Sequence, residues 1–286
     1  MPSHRPLLLI ALLCVSLNSP IDAAETGSAD NPIIPKETIE LFNGRDLTGW
    51  YTWLTDSGKE DPRKVFTVTP DGILRISGDG LGAITTEKSY ANYHLVAEFR
   101  WGEKTWGNRE KAARDSGILL HAYGPDGGYG GSDGKPGPWM TSLECQIIEG
   151  GVGDILVVQG IDESGKKLDV SALCEVTKDR DGESVWQAGG KPTRFTKGRI
   201  NWYGRDPDWK DEINFRGKQD VESPGKEWTT LEVFCDGSKL TYVVNGTVVN
   251  RALEVFPSRG RLQVQTEGAE ILFRKLELRP LPKKLP

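Results

Sequence analysis

Histidine and cysteine, the residues on which most metal centres and thiol mechanisms depend, are nearly missing: three and four respectively in 286 residues. Cys14 lies in an apolar run near the N-terminus, and Cys145, Cys174 and Cys235 allow at most one intramolecular disulfide with a thiol left over, so no disulfide framework builds the fold. Cys145 alternates with Leu143 and Ile147 and reads as a small buried hydrophobe, not a nucleophile. There is no long basic run, and the formal net charge is −5, which excludes the phosphate neutralisation that nucleic-acid binding requires. The longest apolar run, Leu7 to Leu17, is too short to span a bilayer. No long amphipathic helical pattern occurs.

What is present at the N-terminus reads as a leader. His4 and Arg5 precede the apolar run, and Ile21-Asp22-Ala23 offers a small-residue cleavage site, so residues 1–23 are expected to be a signal peptide. Cys14 lacks the small residues that precede a lipidated cysteine. The expected product is a soluble exported protein, periplasmic or extracellular. Residues 24–38, polar and with two prolines at Pro32 and Pro35, read as a flexible tether. Residues 39–281 contain no linker and read as one domain, a length common for a single all-β unit.

Two-residue alternation and turn chemistry dominate that domain. Val65 to Thr69 and Ile73 to Ser77 flank Pro70-Asp71-Gly72 and predict a hairpin. Tyr93 to Trp101 places Leu95, Ala97 and Phe99 on one face and His94, Val96, Glu98 and Arg100 on the other. Trp228 to Ala252 predicts a three-strand meander turning at Asp236-Gly237 and Asn245-Gly246, the second being the preferred type I′ pair. Arg261 to Glu267 and Glu270 to Leu278 read as a closing pair of strands, with Arg261, Gln263, Gln265 and Glu267 on one face. Residues 162–220 are polar and irregular, and pattern alone assigns no strand there. Many short strands without βαβ spacing predict an all-β sandwich or jelly roll of two antiparallel sheets.

The chain centres on residues 114–154. Leu143, Cys145 and Ile147 share one strand face, and Glu144 and Gln146 share the other. In Ser116 to His121, packing of Leu120 inward would point His121 the same way as Gly117 and Leu119, toward a cleft wall. Between these strands, glycine-rich Gly124 to Pro138 predicts an exposed flap beside the cleft.

The ordered segments LFNGRDLTGW, ITTEKSYANYHLVAEFRW, DSGILLH, SLECQIIEGGVGD, GKEWTTLEVFCDGSKLTYVVNG and GRLQVQTEGAEILFRKLELRPL resemble the 3-keto-disaccharide hydrolase family, also described as 3-keto-glucoside 1,2-lyase/2-hydroxy-glucal hydratases. The resemblance implies a concanavalin-like jelly roll with the site on a concave sheet. It also implies an oxidised mono- or disaccharide glycoside as substrate. His121 stands where an Arg often closes the SGI strand in that family, and the glycine-rich loop after it is expanded.

A ketone at C3 of a glycoside acidifies the C2 proton, so a base can remove it and the C1 substituent leaves; water then adds. Such a site needs a base, an enolate stabiliser and an acid for the leaving group. Glu144 and His121 are the expected catalytic residues, His121 because it titrates near neutrality. Gln146, Arg100, Glu98, Trp139, Gln265 and Glu267 are the expected substrate contacts, Trp139 as a flat surface for a sugar ring. A divalent metal held partly by His121 and Glu144 would polarise the ketone. Bland readings stand beside these: Glu144 with Gln146 as a solvated sheet face, Glu98 and Arg100 in cross-strand surface ion pairing, Gln265 with Glu267 as solvated, and His94 as structural. Two further functions suit the same sequence. One is a non-catalytic carbohydrate-binding or surface interaction domain. The other is a retaining glycosidase of laminarinase type, from Glu144-Cys-Gln-Ile-Ile-Glu149, although a five-residue spacing puts its two glutamates on opposite faces unless a bulge intervenes.

Overall fold

The computed structural model describes residues 31–132 and 134–286. The signal peptide expected at residues 1–23 and the tether's first part, 24–30, lie outside the described residues. The strands, in chain order, are β1 (Ile39–Glu40), β2 (Trp50–Leu54), β3 (Phe66–Val68), β4 (Leu74–Ile76), β5 (Leu81–Thr86), β6 (Tyr93–Thr105), β7 (Asp115–Tyr123), β8 (Thr141–Ile148) and β9 (Ile155–Val158). They continue with β10 (Ser171–Lys178), β11 (Ser184–Trp186), β12 (Lys191–Phe195), β13 (Gly198–Ile200), β14 (Thr229–Asp236), β15 (Lys239–Val244), β16 (Thr247–Phe256), β17 (Arg261–Glu267) and β18 (Ala269–Arg279). The helical content of the described residues is a single 3-10 turn, Gly107–Arg109, and no helix among them is long and apolar enough to cross a membrane.

Two antiparallel sheets form. The larger has eleven strands, with the path β11-β10-β16-β15-β14-β6-β18-β4-β3 and with β1 and β12 at its sides; the smaller has seven, in the order β13-β9-β8-β7-β17-β5-β2. Alternation explains the layering, because each strand turns one set of side chains inward. Leu95, Ala97 and Phe99 of β6 and Ile271 and Phe273 of β18 join Ile118 and Leu120 of β7 in one apolar core. Leu143, Cys145 and Ile147 of β8 and Leu262 and Val264 of β17 complete it from the smaller sheet. This is an all-β sandwich of two antiparallel sheets. The three cysteines of the domain are buried and unpaired.

The predicted hairpin is β3-β4 and the meander is β14-β15-β16, with Asn245 and Gly246 at φ +46° and +79°, both positive as a type I′ turn demands. The closing strands differ from expectation. β17 and β18 do not pair with each other; β17 lies in the smaller sheet and β18 in the larger. Gly268, at φ +80°, carries the chain between them, a conformation that costs glycine little. The stretch 162–220 holds four strands, β10 to β13; β10 alternates regularly, with Ala172, Cys174 and Val176 buried, and the other three span only three to five residues. The described part of the tether is docked: Ile33 is buried, accepts a backbone bond from Ala91 and donates one to Ser89.

The glycine-rich flap is more regular than its composition suggests. Tyr129 pairs with Trp139 and Ser132 with Lys135 across it. Trp53 on β2 ties it to the sheet by donating from Nε1 to the Gly137 carbonyl at 3.0 Å.

Phe273 is fully buried against Phe99, with ring centroids 6.2 Å apart. Phe273→Ala is expected to cost about 3–5 kcal/mol, read as a lower urea midpoint with an unchanged denaturant slope.

Candidate active site

The outer face of the smaller sheet is polar at its centre, and it is covered. On β7, Asp115, Gly117 and Leu119 point outward; on β8, Glu144 and Gln146; on β17, Gln265 and Glu267. The register sets Gly117 opposite Gln146 and Leu119 opposite Glu144, while Gln263 of β17 lies opposite Leu119 from the other side. The strands therefore bring these groups together over Gly117. A Cβ on Gly117 would stand 2.4 Å from both Glu144 Oε1 and Gln265 Oε1, so any side chain there would displace them. Around this floor, Tyr129 and Trp139 from the flap, Arg109 from the 3-10 turn and Arg199 from β13 close a cavity of about 220 Å³.

Its polar groups are held from behind and free in front. Asp115 Oδ2 accepts from Arg109 Nη2 at 2.5 Å, and Oδ1 accepts from Gln146 Nε2 at 3.1 Å. Arg109 also donates to Asp211 Oδ1 at 3.1 Å and approaches Glu267 Oε1 at 3.9 Å. Arg199 is placed 3.8 Å from the buried Asp154 carboxylate, itself bound by Arg205 and by the Trp202 backbone N–H at 2.8 Å. By contrast Gln146 Oε1 and both amide atoms of Gln265 are buried with no hydrogen-bond partner. Buried amides of this kind need partners, and a polyhydroxylated ligand would supply them.

Burial dominates the carboxyl chemistry. It pushes Glu144 up to about 8, reinforced by the charge of Asp115 and opposed by Arg199. Burial raises Asp115 to about 6, less far because Arg109 and the Gln146 amide favour its anion. Glu267 is likewise raised well above its ordinary range by burial and by the charges of Asp115 and Glu144. At neutral pH Asp115, at about 6, is largely ionised and Glu144, at about 8, is largely protonated, while burial shifts Glu267 toward its protonated form, so groups able to give and to take a proton face one cavity.

Of the residues predicted from sequence, Glu144, Gln146, Trp139, Gln265 and Glu267 line this cavity. Trp139 stacks on Tyr129, ring centroids 6.1 Å apart, and donates from Nε1 to the Gly82 carbonyl at 3.0 Å. His121 does not reach it. A register shift between Leu120 and Tyr123, with His121 at φ +57°, breaks the alternation and turns the ring into the sandwich. There it packs edge-on against Tyr93 of the opposite sheet, its Nδ1 3.0 Å from the Pro257 carbonyl, and burial lowers its pKa to about 4. Glu98 and Arg100 are on the other sheet altogether: Glu98 binds Lys275 at 3.2 Å as well as Arg274, and Arg100 lies over the Trp228 ring at 4.8 Å. The surface ion-pair reading is the right one for Glu98. His94 is structural, 2.9 Å from Glu232. The laminarinase-like pair is not formed either, since Glu149 is committed to Arg114 at 2.6 Å and to the Asn214 backbone N–H at 2.9 Å.

Asp115, Arg109, Arg199 and Tyr129 were not singled out from sequence. Asp115 was within reach of alternation, since 115, 117 and 119 share a face of the DSGILLH strand; the arginines come from a charged loop and an edge strand with no local signature. The metal expected between His121 and Glu144 does not fit, because the two side chains project to opposite faces of the sheet. Among the described residues, the ligand atoms that cluster within 4.8 Å belong to Asp179, Asp181 and Glu183 on an exposed turn, not to Asp115, Glu144 and Glu267.

The native state retains the Glu144 proton up to about pH 8, whereas the unfolded chain releases it near the ordinary value of 4.5. Between those limits the fold binds the extra proton, so its stability falls as pH rises. Glu144→Gln keeps the shape without the titration. Its urea midpoint should exceed that of the wild type at about pH 8, with a smaller difference at about pH 6; equal midpoints at both would contradict the burial argument.

No curated protein matches this sequence. Among solved structures, a proposed glycosyl hydrolase of Parabacteroides distasonis ATCC 8503 is similar at 21% identity, over 86% of this chain and 94% of that one, with a TM-score of 0.46. The Bacillus licheniformis beta-glucanase is similar at 10% identity, over 86% and 99%, with a TM-score of 0.42. The carbohydrate-binding module CBM66 of Bacillus subtilis is similar at 10% identity, over 80% and 95%, with a TM-score of 0.42. The family described as the 3-keto-alpha-glucoside-1,2-lyase-like domain matches residues 37–279, nearly the whole of the sandwich, and the chain belongs to that family.

Proposed function

We propose that the protein is a carbohydrate-active enzyme that cleaves the glycosidic bond of 3-keto-glycosides by elimination across C1–C2 followed by hydration. The observation that supports this is the convergence of Asp115, Glu144 and Glu267 with Arg109 and Arg199 in one buried cavity on the outer sheet face. Family membership supports that substrate class. We further propose export to the periplasm or beyond, on the strength of the leader-like sequence at residues 1–23.

The chemistry assigns roles by charge. Glu144, raised to about 8, is in its ionised form a stronger base than an ordinary carboxylate. It removes the C2 proton, and the electron pair moves into the C2–C3 enolate, where positive Arg199 stabilises the oxygen. The enolate collapses, the C1–O bond breaks, and the protonated Glu267 supplies a proton to the leaving oxygen. Water then adds across C1–C2, its hydroxyl to C1 and a proton to C2, which gives the free 3-keto sugar. Asp115, locked by Arg109 and Gln146, contributes negative charge that keeps Glu144 basic. Gln265 and Gln146 offer unpartnered amide atoms to the sugar hydroxyls, and Trp139 offers an apolar wall. The cavity is smaller than the about 300–1,000 Å³ typical of drug-sized ligands, which suits one sugar ring.

Wild-type protein incubated with 3-keto-glycosides in deuterated water should exchange the C2 proton and release the aglycone. Glu144→Gln should lower turnover about 10²-fold or more with a smaller change in KM. Wild-type kcat/KM should climb with pH toward about 8 as Glu144 ionises. Binding of such sugars with no C2 exchange at any pH would move the protein to the non-catalytic class.

A further inference from the structure

A second recess adjoins the carboxyl cavity. It encloses about 710 Å³ against about 220 Å³, between the flap and the segment that follows β9. Pro125, Tyr129 and Pro136 form its flap wall, and Gln159 and Ile161 face them. Two features join the recesses. Tyr129 lines both, and the consecutive residues Val158 and Gln159 line one each. Tyr129 is 37% exposed, and its ring stacks at 24° on Trp139, the apolar wall of the smaller cavity. Its phenol is raised by burial, and by the nearby charges of Glu144 and Glu267.

The flap wall is closely packed. Gly137 packs so closely under the Tyr129 backbone that a Cβ there would sit 1.7 Å from the Tyr129 carbonyl oxygen, and one on Gly131 would meet the Lys135 carbonyl at 2.6 Å. Ile161 is held by its backbone N–H on the Gly128 carbonyl at 2.9 Å, while its side chain is 43% exposed.

We propose that this recess is the leaving-group subsite and takes a neutral, ring-shaped aglycone whose flat face rests on Tyr129. The inference relies on the smaller cavity being where the bond is cut. That cavity has room for one ring, so the group attached at C1 must emerge beside it, and the larger recess opens there. Tyr129, Ile161 and the two prolines offer the apolar surface that a ring face needs, and Asp126, Asp162 and Glu163 against Lys135 disfavour an anionic group.

The test compares methyl, phenyl and glucosyl glycosides, as 3-keto substrates in turnover and as their unoxidised parents in calorimetric titration. Wild-type protein should prefer the phenyl or the glucosyl compound over the methyl one by about three- to tenfold, the range of one aromatic contact; which of the two leads tells an aryl from a sugar aglycone. Tyr129→Ala, and separately Ile161→Asp on the wall remote from the carboxyls, should each erase that preference. A wild type with no preference, or variants that keep it, would overturn the subsite. If nothing is turned over but the unoxidised parents show the preference and the variants lose it, the reaction assignment fails and the subsite stands. If the parents bind alike in wild type, the subsite fails whatever the turnover.

Discussion

Two carboxyl groups on the outer face of a seven-stranded sheet, Asp115 and Glu144, are removed from water and a third, Glu267, is largely so, and the rest of the site is arranged around the cost of that burial. A carboxylate taken out of water must be paired, hydrogen-bonded or protonated. All three answers occur: Asp115 is paired with Arg109 and bonded by Gln146, while Glu144 keeps its proton up to about pH 8 and burial shifts Glu267 in the same direction. The neighbouring Asp154 solves the same problem with Arg205 and a backbone N–H, and in doing so stations Arg199 at the cavity. Gly117 makes the arrangement sterically feasible, since the space of its missing side chain is taken by Glu144 and Gln265.

The two sheets divide the work. The eleven-stranded sheet supplies apolar surface and surface ion pairs, and its long strand β6 carries Glu98 and Arg100 on a face that never meets the cavity. The seven-stranded sheet carries the carboxyl cavity on its far side, and the flap and the 3-10 turn roof it over, with Arg199 of the edge strand β13 at its margin. Burial on both faces of β8, which would be odd for an antiparallel strand with one solvated side, follows from that roof. The unpartnered amides of Gln146 and Gln265 sit beneath it, consistent with a site shaped for a hydroxylated ring.

The alternation of β8 was sufficient to separate Leu143, Cys145 and Ile147 from Glu144 and Gln146, because a strand has period two and neither hairpin register nor sheet order changes that. The same reasoning placed Gln265 and Glu267 on one face of β17. It failed at His121, where one bulge and a positive φ reverse the side that a residue faces, a change that local pattern does not encode. It failed again for Glu98 and Arg100, whose shared face was read correctly and whose sheet was not. Metal binding by His121 and Glu144 fell with the same bulge.

By itself the sequence determined the all-β class, the hairpins, the faces of the central strands and, through its ordered segments, membership of the 3-keto-alpha-glucoside-1,2-lyase-like domain family, since all of these are written in two-residue periodicity, turn residues and local order. Only the tertiary structure decided which faces meet. Arg109 with Asp115, Arg199, and Glu267 come from three parts of the chain far apart in sequence, and what joins them is sheet order. Electrostatic coupling falls with distance in space and deepens with burial, so the chemistry of these groups is a property of the assembled cavity.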